Sequence, residues 1–358
     1  MIKRLDFEKV FYHIDKLYDF RKRDDNYPGH MTVGLTTYCN HRCVFCYGDY
    51  ETADPRRNIN ADADRFMEIF KEAHEAGLKS ISLVGTGEPL LHKDASRIIR
   101  GIKETGIDVA VYTNGVMVKD EVRDAILDCC TWIRLSCNAK DIEEHNRIHS
   151  ANNDFEKIVA NFRDIVSLRD KRGQQFPTIG CQFVAFKDNY SSIFDAAKLW
   201  KSVGLDYFAI KPVYKQRKNV YQPDYIEDYG NVLEIMQKTI ELEDESFKLY
   251  AKFEQFEKVL SPDYRKRYGR CYGHAFSTAL LADGNLYLCG NLHSEDRYAF
   301  GNIYRDGGFK EIWHSERRKK VVQAIKLDEC PARCRNDLLN EILWDLKHPD
   351  PQIHFNFL

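Results

Sequence analysis

A chain of 358 residues, 43% hydrophobic and 30% charged, can bury a large core and exceeds the usual length of one domain. Its 53 basic and 55 acidic residues give a formal charge of -2, spread along the chain, which speaks against general attraction to nucleic acid or an anionic membrane and leaves a compact, roughly neutral substrate as the expectation. No run of about eighteen uncharged apolar residues occurs, so no membrane span is expected.

The N-terminal stretch MIKRLDFEKVFYHIDKLYDF breaks its apolar residues with charges, unlike a secretory signal, and the expected location is cytoplasmic. In that reducing setting 11 cysteines in clustered spacings read as metal or catalytic ligands sooner than as disulfides. Residues 1-30 form a helical extension. From residue 31, short β-branched or apolar runs alternate with amphipathic stretches, the pattern of parallel βαβ units. MTVGLTT, KSISLVGTG, DVAVYTNG, TWIRLSCNA, TIGCQFVAF and DYFAIKPV are six candidate strands. Helix candidates between them close on Gly77, Gly106, Gly173 and Gly204, the usual C-terminal caps.

Six units without a clear seventh or eighth predict an α/β fold: a partial (β/α)6 TIM-type barrel over 31-215, open at one side, with its chemistry at the C-terminal strand ends. The charged, tyrosine-rich KQRKNVYQPDYIEDYG marks a boundary, and 216-265 reads as a helical connector. Beyond Gly269, FSTALLADGNLYLCG is a hairpin with Asp283-Gly284 at its turn. It opens a small β-hairpin plus helix domain over 266-346, followed by a tail, 347-358.

After the first strand, Cys39-Asn40-His41-Arg42-Cys43-Val44-Phe45-Cys46 puts three thiols within eight residues. Three soft thiolates so spaced can wrap one corner of an iron-sulfur cubane and leave its fourth iron open to a small molecule. A zinc site, with His41 as a further ligand, is the alternative. The octet resembles the cluster motif of the radical S-adenosylmethionine superfamily, C-x3-C-x2-C with an aromatic residue, here Phe45, before the last cysteine. The resemblance implies a [4Fe-4S] cluster that chelates S-adenosylmethionine and cleaves it to a 5'-deoxyadenosyl radical, fed by an electron donor such as flavodoxin or ferredoxin.

Gly85-Thr86-Gly87-Glu88-Pro89 follows the second strand and looks like the family's Gly-Gly-Glu-Pro motif. By that resemblance Glu88 accepts the cofactor's ammonium, with Gly87 and Pro89 shaping the turn; an ordinary tight βα turn would look the same. In WIRLSCNA the period of two sends Arg134, Ser136 and Asn138 into the barrel. By resemblance Ser136 and Asn138 contact the cofactor's ribose or carboxylate, and Thr113 and Asn114 line the same pocket, although such residues also cap helices. The same alternation turns Gln182 and Lys211 inward, and with Arg134 they are the candidate catalytic or substrate-contacting residues. For Lys211 a salt bridge at the barrel rim is the alternative.

Cys271, Cys289, Cys330 and Cys334 can close a second cluster completely, as suits electron transfer, or hold zinc. They resemble the Twitch domain, the shortened relative of the SPASM domain, with Phe300-Gly301-Asn302-Ile303 and Trp313 after the hairpin; the seven-cysteine SPASM pattern is absent. The implied reaction is a dehydrogenase-like oxidation of an alcohol on a small molecule: a sugar, aminocyclitol or sugar nucleotide. Radical epimerisation is the runner-up, disfavoured because Cys137 and Cys181 should face away from the lumen and Cys129 and Cys130 read as core thiols. A peptide-modifying maturase is disfavoured because 30 residues leave no room for a recognition unit before the barrel. An electron carrier or structural zinc protein needs neither the barrel nor the Gly-Glu-Pro turn.

Overall fold

The computed structural model describes residues 7-23, 25-48, 58-213, 220-221, 223-227, 229-261, 263-293, 295-331, 334-354 and 356-357. The first six residues, most of the start of the tyrosine-rich connector, and Ala332 and Arg333 between the last two cysteines lie outside them.

The six expected strands are present: β1 (His30–Val33), β2 (Ser80–Leu83), β3 (Asp108–Thr113), β4 (Cys130–Ser136), β5 (Thr178–Ala185) and β6 (Tyr207–Pro212), paired in parallel from β1 through to β6. Helices return the chain between them because each carries a stripe of apolar residues at helical spacing. In Ala63–Glu75 the stripe is Phe66, Ile69, Phe70 and Ala73, all fully buried. Asp62 starts that helix by accepting the N–H groups of Asp64 and Arg65 at 3.0 and 3.1 Å. Each fully buried Phe or Ile of such a stripe contributes about 2 kcal/mol. The four glycines expected at helix ends all adopt positive φ.

The sheet runs beyond six strands at both edges. The expected helical connector contains a short seventh parallel strand, β7 (Lys248–Ala251), which pairs with β6 from Tyr207↔Lys248 onward. Four residues with mixed burial leave little periodic signal, so this strand is set by the open edge of β6 rather than by local propensity. At the other edge, β8 (Ser277–Leu280) pairs in parallel with β1, His30↔Ser277 to Val33↔Leu280. It turns at Asp283-Gly284 into β9 (Asn285–Tyr287), which pairs with β10 (Ala299–Asn302). The order is therefore β10-β9-β8-β1-β2-β3-β4-β5-β6-β7, and the C-terminal hairpin continues the barrel sheet.

The N-terminal helix Ile14–Arg23 docks on this junction. Phe20 meets Tyr272 and Phe276 edge-on at 5.1 and 5.4 Å, and Asp25 takes both Nη atoms of Arg318 at 2.7 and 2.8 Å. Arg318 lies over the Trp313 ring at 3.8 Å. No helix among the described residues is long and apolar enough to cross a membrane.

Candidate functional site

The C-terminal strand ends and the inner barrel wall enclose a cavity of about 750 Å³. Cys39, Cys43 and Cys46 line it together with Phe45, the Gly85–Pro89 turn and inward residues of β3 to β6. The octet is shaped by its own backbone, since the Cys46 N–H donates to the Cys43 carbonyl at 3.0 Å. Burial pushes the Cys39 thiol up to about 12, with Glu88 and then Cys46 adding to the rise, and the Cys43 thiol well above its usual range, with Cys46 and Cys39 adding to it. Such thiols become thiolates when a cationic metal centre binds them.

The Gly85–Pro89 turn packs directly on the strand-to-octet segment. Glu88 N–H donates to the Tyr38 carbonyl at 2.9 Å, and a Cβ on Gly87 would stand 2.4 Å from that carbonyl oxygen and 2.5 Å from that of Thr36. Gly87→Ala must therefore push the octet away. Its expected effect is about 2 kcal/mol or more, roughly thirtyfold weaker S-adenosylmethionine binding by equilibrium dialysis.

Glu88 is fixed before any ligand arrives. Oε1 accepts from Thr113 Oγ1 at 2.8 Å and from Leu90 N at 3.2 Å, and Oε2 accepts from Asn114 N at 2.7 Å. A carboxylate has about four acceptor positions, so Oε2 keeps one for a cation. Burial raises the carboxyl to about 7 against these three hydrogen bonds. Thr113 and Asn114, expected as pocket lining, act here as the carboxylate's clamps; the Asn114 amide also reaches Asn40 Oδ1 at 2.8 Å, tying β3 to the octet.

Ser136 and Asn138 line the cavity as expected. Asn138 has no exposed surface, and its side chain is committed within the protein: Oδ1 accepts from Val184 N at 2.5 Å and Nδ2 faces His149 at 3.4 Å. Lower in the lumen, Arg134 is buried in a cage of aromatic rings. It donates to the hydroxyls of Tyr207 and Tyr112 at 2.7 and 3.1 Å and lies 4.9 Å from the Trp132 ring centre. A Cβ on Gly180 would come within 2.2 Å of the Tyr207 ring, so only glycine admits this floor. Arg134 has no carboxylate partner among the described residues. Gln182 and Lys211 line the same cavity. Cys137 and Cys181 are buried outside it, and among the described lining residues the octet supplies the only thiols.

Cys271, Cys289, Cys330 and Cys334 converge at the C-terminal domain. Burial raises all four thiols, Cys330 to about 12 and Cys334 to about 11, and the other three sulfurs all bear on Cys289. Gly290 and Asn291 beside Cys289, and Arg335 beside Cys334, belong to the cavity wall. A zinc ion with sulfur at about 2.3 Å would hold its ligands about 4 Å apart. Among the described residues neither the three octet cysteines nor the C-terminal four form by themselves a set of ligand atoms all within 4.8 Å of one another, whereas Cys43 forms such a set with His41 and His149.

Around His41 of the octet, weighed in the sequence as a zinc ligand, stand three residues absent from the sequence expectations: His145, His149 and Asp154. His41 and His145 each meet Asp154 through Nε2, at 2.8 and 2.9 Å. The i, i+4 spacing of His145 and His149 was the available signal.

Residues 33–171 match the radical SAM superfamily and residues 271–336 match SPASM, an iron-sulfur cluster-binding domain. The chain carries a radical SAM domain and a SPASM domain. Their cofactors are a [4Fe-4S] cluster working with S-adenosylmethionine and an auxiliary iron-sulfur cluster, and the three octet cysteines and the C-terminal four all fall within the matched ranges. The SPASM match is the longer relative of the Twitch domain that the four-cysteine pattern resembles.

Among curated proteins, the chain is 23% identical over 306 residues to the tungsten-containing aldehyde ferredoxin oxidoreductase cofactor-modifying protein of Pyrococcus furiosus, covering 80% of this chain and 81% of that one. It is 26% identical over 177 residues to a probable GTP 3',8-cyclase of Saccharolobus islandicus, covering 49% of this chain and 54% of the cyclase. Among solved structures, Streptococcus suis SuiB bound to its precursor peptide SuiA superposes with TM-score 0.68 at 14% identity over 91% of this chain and 74% of that chain. The anSMEcpe protein with bound AdoMet gives 0.58 at 15% identity over 82% and 83%. At these identities the structures share the fold.

Proposed function

We propose that this radical SAM enzyme removes hydrogen from an alcohol-bearing, anionic small molecule held in the barrel lumen and oxidises it by two electrons. When bound, the first cluster with S-adenosylmethionine supplies a hydrogen-abstracting 5'-deoxyadenosyl radical and the auxiliary cluster an electron acceptor. The observation that carries the reading is the continuity of the cavity from the octet to the residues flanking Cys289 and Cys334. One substrate can therefore lie between the two cysteine groups. In this reading Cys39, Cys43 and Cys46 hold the first cluster, the C-terminal four hold the second, and Glu88 receives the cofactor's ammonium.

The charge of the lining supports the choice of substrate class. Its described lysines and arginines are Lys9, Arg134, Lys211, Lys252 and Arg335, against Glu88 as the single carboxylate. This favours a sugar nucleotide over a neutral sugar or a cationic aminocyclitol, and it departs from the neutral substrate that overall charge suggested. A buried guanidinium without an acidic partner is costly, and Arg134 would meet the substrate's anion, with Gln182 and Lys211 contacting its hydroxyls. The lack of a further cavity thiol among the described residues leaves an epimerase without its usual hydrogen donor.

The test is anaerobic reconstitution with dithionite and S-adenosylmethionine, scoring 5'-deoxyadenosine by mass spectrometry across neutral sugars, aminocyclitols and sugar nucleotides. Stimulation by sugar nucleotides is expected, and Arg134→Gln should lower the stimulated yield about tenfold or more. Stimulation by neutral or cationic members alone would overturn the charge argument. A peptide is the second reading, supported by the fold shared with SuiB, whose structure was solved with its precursor peptide.

A further inference from the structure

The octet rests on the end of the helix Ile142–His149. The Arg42 and Val44 N–H groups donate to the carbonyls of His149 and Ile148 at 2.9 and 3.0 Å. From the same turn the imidazole of His149, fully buried, meets Cys43 Sγ through Nδ1 at 3.1 Å and the backbone N–H of Asn138 through Nε2 at 3.2 Å. A backbone N–H only donates, so Nε2 accepts. A hydrogen on Nε2 would face that N–H head-on, so the ring is neutral and its hydrogen sits on Nδ1, directed at the sulfur.

The surroundings leave the ring little freedom to turn over. Asn138 Oδ1 is taken by Val184 N–H, so the side-chain group facing Nε2 is the amide NH2, a second donor. The ring is packed between His145, at 4.5 Å between centroids, and the edge of Phe45 at 5.7 Å. His145 is anchored in turn by Asp154.

We propose that His149 is a positioning residue for the first cluster: its Nδ1–H donates to the Cys43 thiolate and makes the cluster easier to reduce. The inference rests on Cys43 being a ligand of that cluster. Reduction adds one electron, delivered by an external reductant, and raises the negative charge on the thiolate sulfurs. A donor at 3.1 Å then stabilises the reduced form more than the oxidised one. No proton moves, because the ring is neutral and its hydrogen on Nδ1 in both states.

The experiment is an anaerobic redox titration of the reconstituted two-cluster protein, followed by electron paramagnetic resonance. The signal that changes on adding S-adenosylmethionine identifies the first cluster. His149→Phe keeps a flat ring in the slot without a donor, and the expected result is a tenfold loss in the reduction equilibrium, about 59 mV to lower potential, at unchanged iron content. His149→Gln, which keeps an N–H, should recover part of that shift. An unchanged potential in iron-replete His149→Phe overturns the proposal.

If the phenylalanine variant fails to hold iron, unsubstituted protein labelled with 15N-histidine decides, because the reduced signal should carry hyperfine coupling to an imidazole nitrogen. Absence of that coupling overturns the proposal. Absence of any signal sensitive to S-adenosylmethionine overturns the assignment of the octet itself, and the proposal with it, so the two failures are distinguishable.

Discussion

Cys43→Ala should leave a protein with about four irons per chain in place of about eight, and 5'-deoxyadenosine formation should fall to background. The middle cysteine of the octet is held through two contacts: it meets His149 Nδ1 at 3.1 Å, and its neighbours Arg42 and Val44 are pinned to the helix end. Two remaining thiolates close no stable corner around a cubane. Iron analysis and mass spectrometry read the two effects separately. Loss of product with all eight irons retained would mean that another residue replaces Cys43 as a ligand. The matching substitution Cys289→Ala should also remove about four irons while leaving the octet's complement in place.

Glu88→Gln should weaken S-adenosylmethionine binding roughly thirtyfold at pH 8, the worth of a charge-assisted hydrogen bond in a buried site. The pH profile is the sharper signature. Burial raises the Glu88 carboxyl from its ordinary 4.5 to about 7, so in cofactor-free protein the neutral form is favoured by folding. The group's contribution is fully present below about pH 4.5 and is lost as pH rises through about 7, amounting to about 3 kcal/mol. A cationic ligand needs the opposite form. Affinity should therefore climb about tenfold per pH unit up to pH 7 and then level off. Glu88→Gln should flatten both slopes, measured by denaturant unfolding of the apoprotein and by equilibrium dialysis between pH 5.5 and 8. A wild-type affinity that does not vary with pH would remove Glu88 from the ammonium site.

The barrel was legible in the sequence because its signals are local. β-branched runs, amphipathic stripes such as Phe66 to Ala73 and capping glycines each report on their own segment. The octet and the Gly-Glu-Pro turn were legible for a related reason, since each packs its chemistry into a few consecutive residues. What escaped was set by partners far away in the chain. Lys248–Ala251 has no strand signal of its own and exists because β6 offers an edge. His149 offers in sequence only its i, i+4 spacing from His145, and its contact with Cys43, 106 residues away, is set by the fold. Asn138 lines the lumen as its alternation indicates, but its hydrogen bonds to Val184 and His149 were not legible there. Likewise the near-neutral total charge concealed a lumen that concentrates arginine and lysine.

The pairing of β8 with β1 binds the two matched domains into one folding problem. His30 finds Ser277 across 247 positions of sequence (277 minus 30), so during synthesis the first strand of the barrel waits with one side of its backbone unpaired until most of the chain has been made. Met31 and Val33, fully buried once β8 arrives, form an apolar strand with an open edge until then, the kind of template on which chains aggregate. Cutting the protein at the apparent boundary near residue 265 would make that transient edge permanent. The SPASM domain thus acts as the lateral seal of the radical SAM barrel as well as the holder of a second cluster.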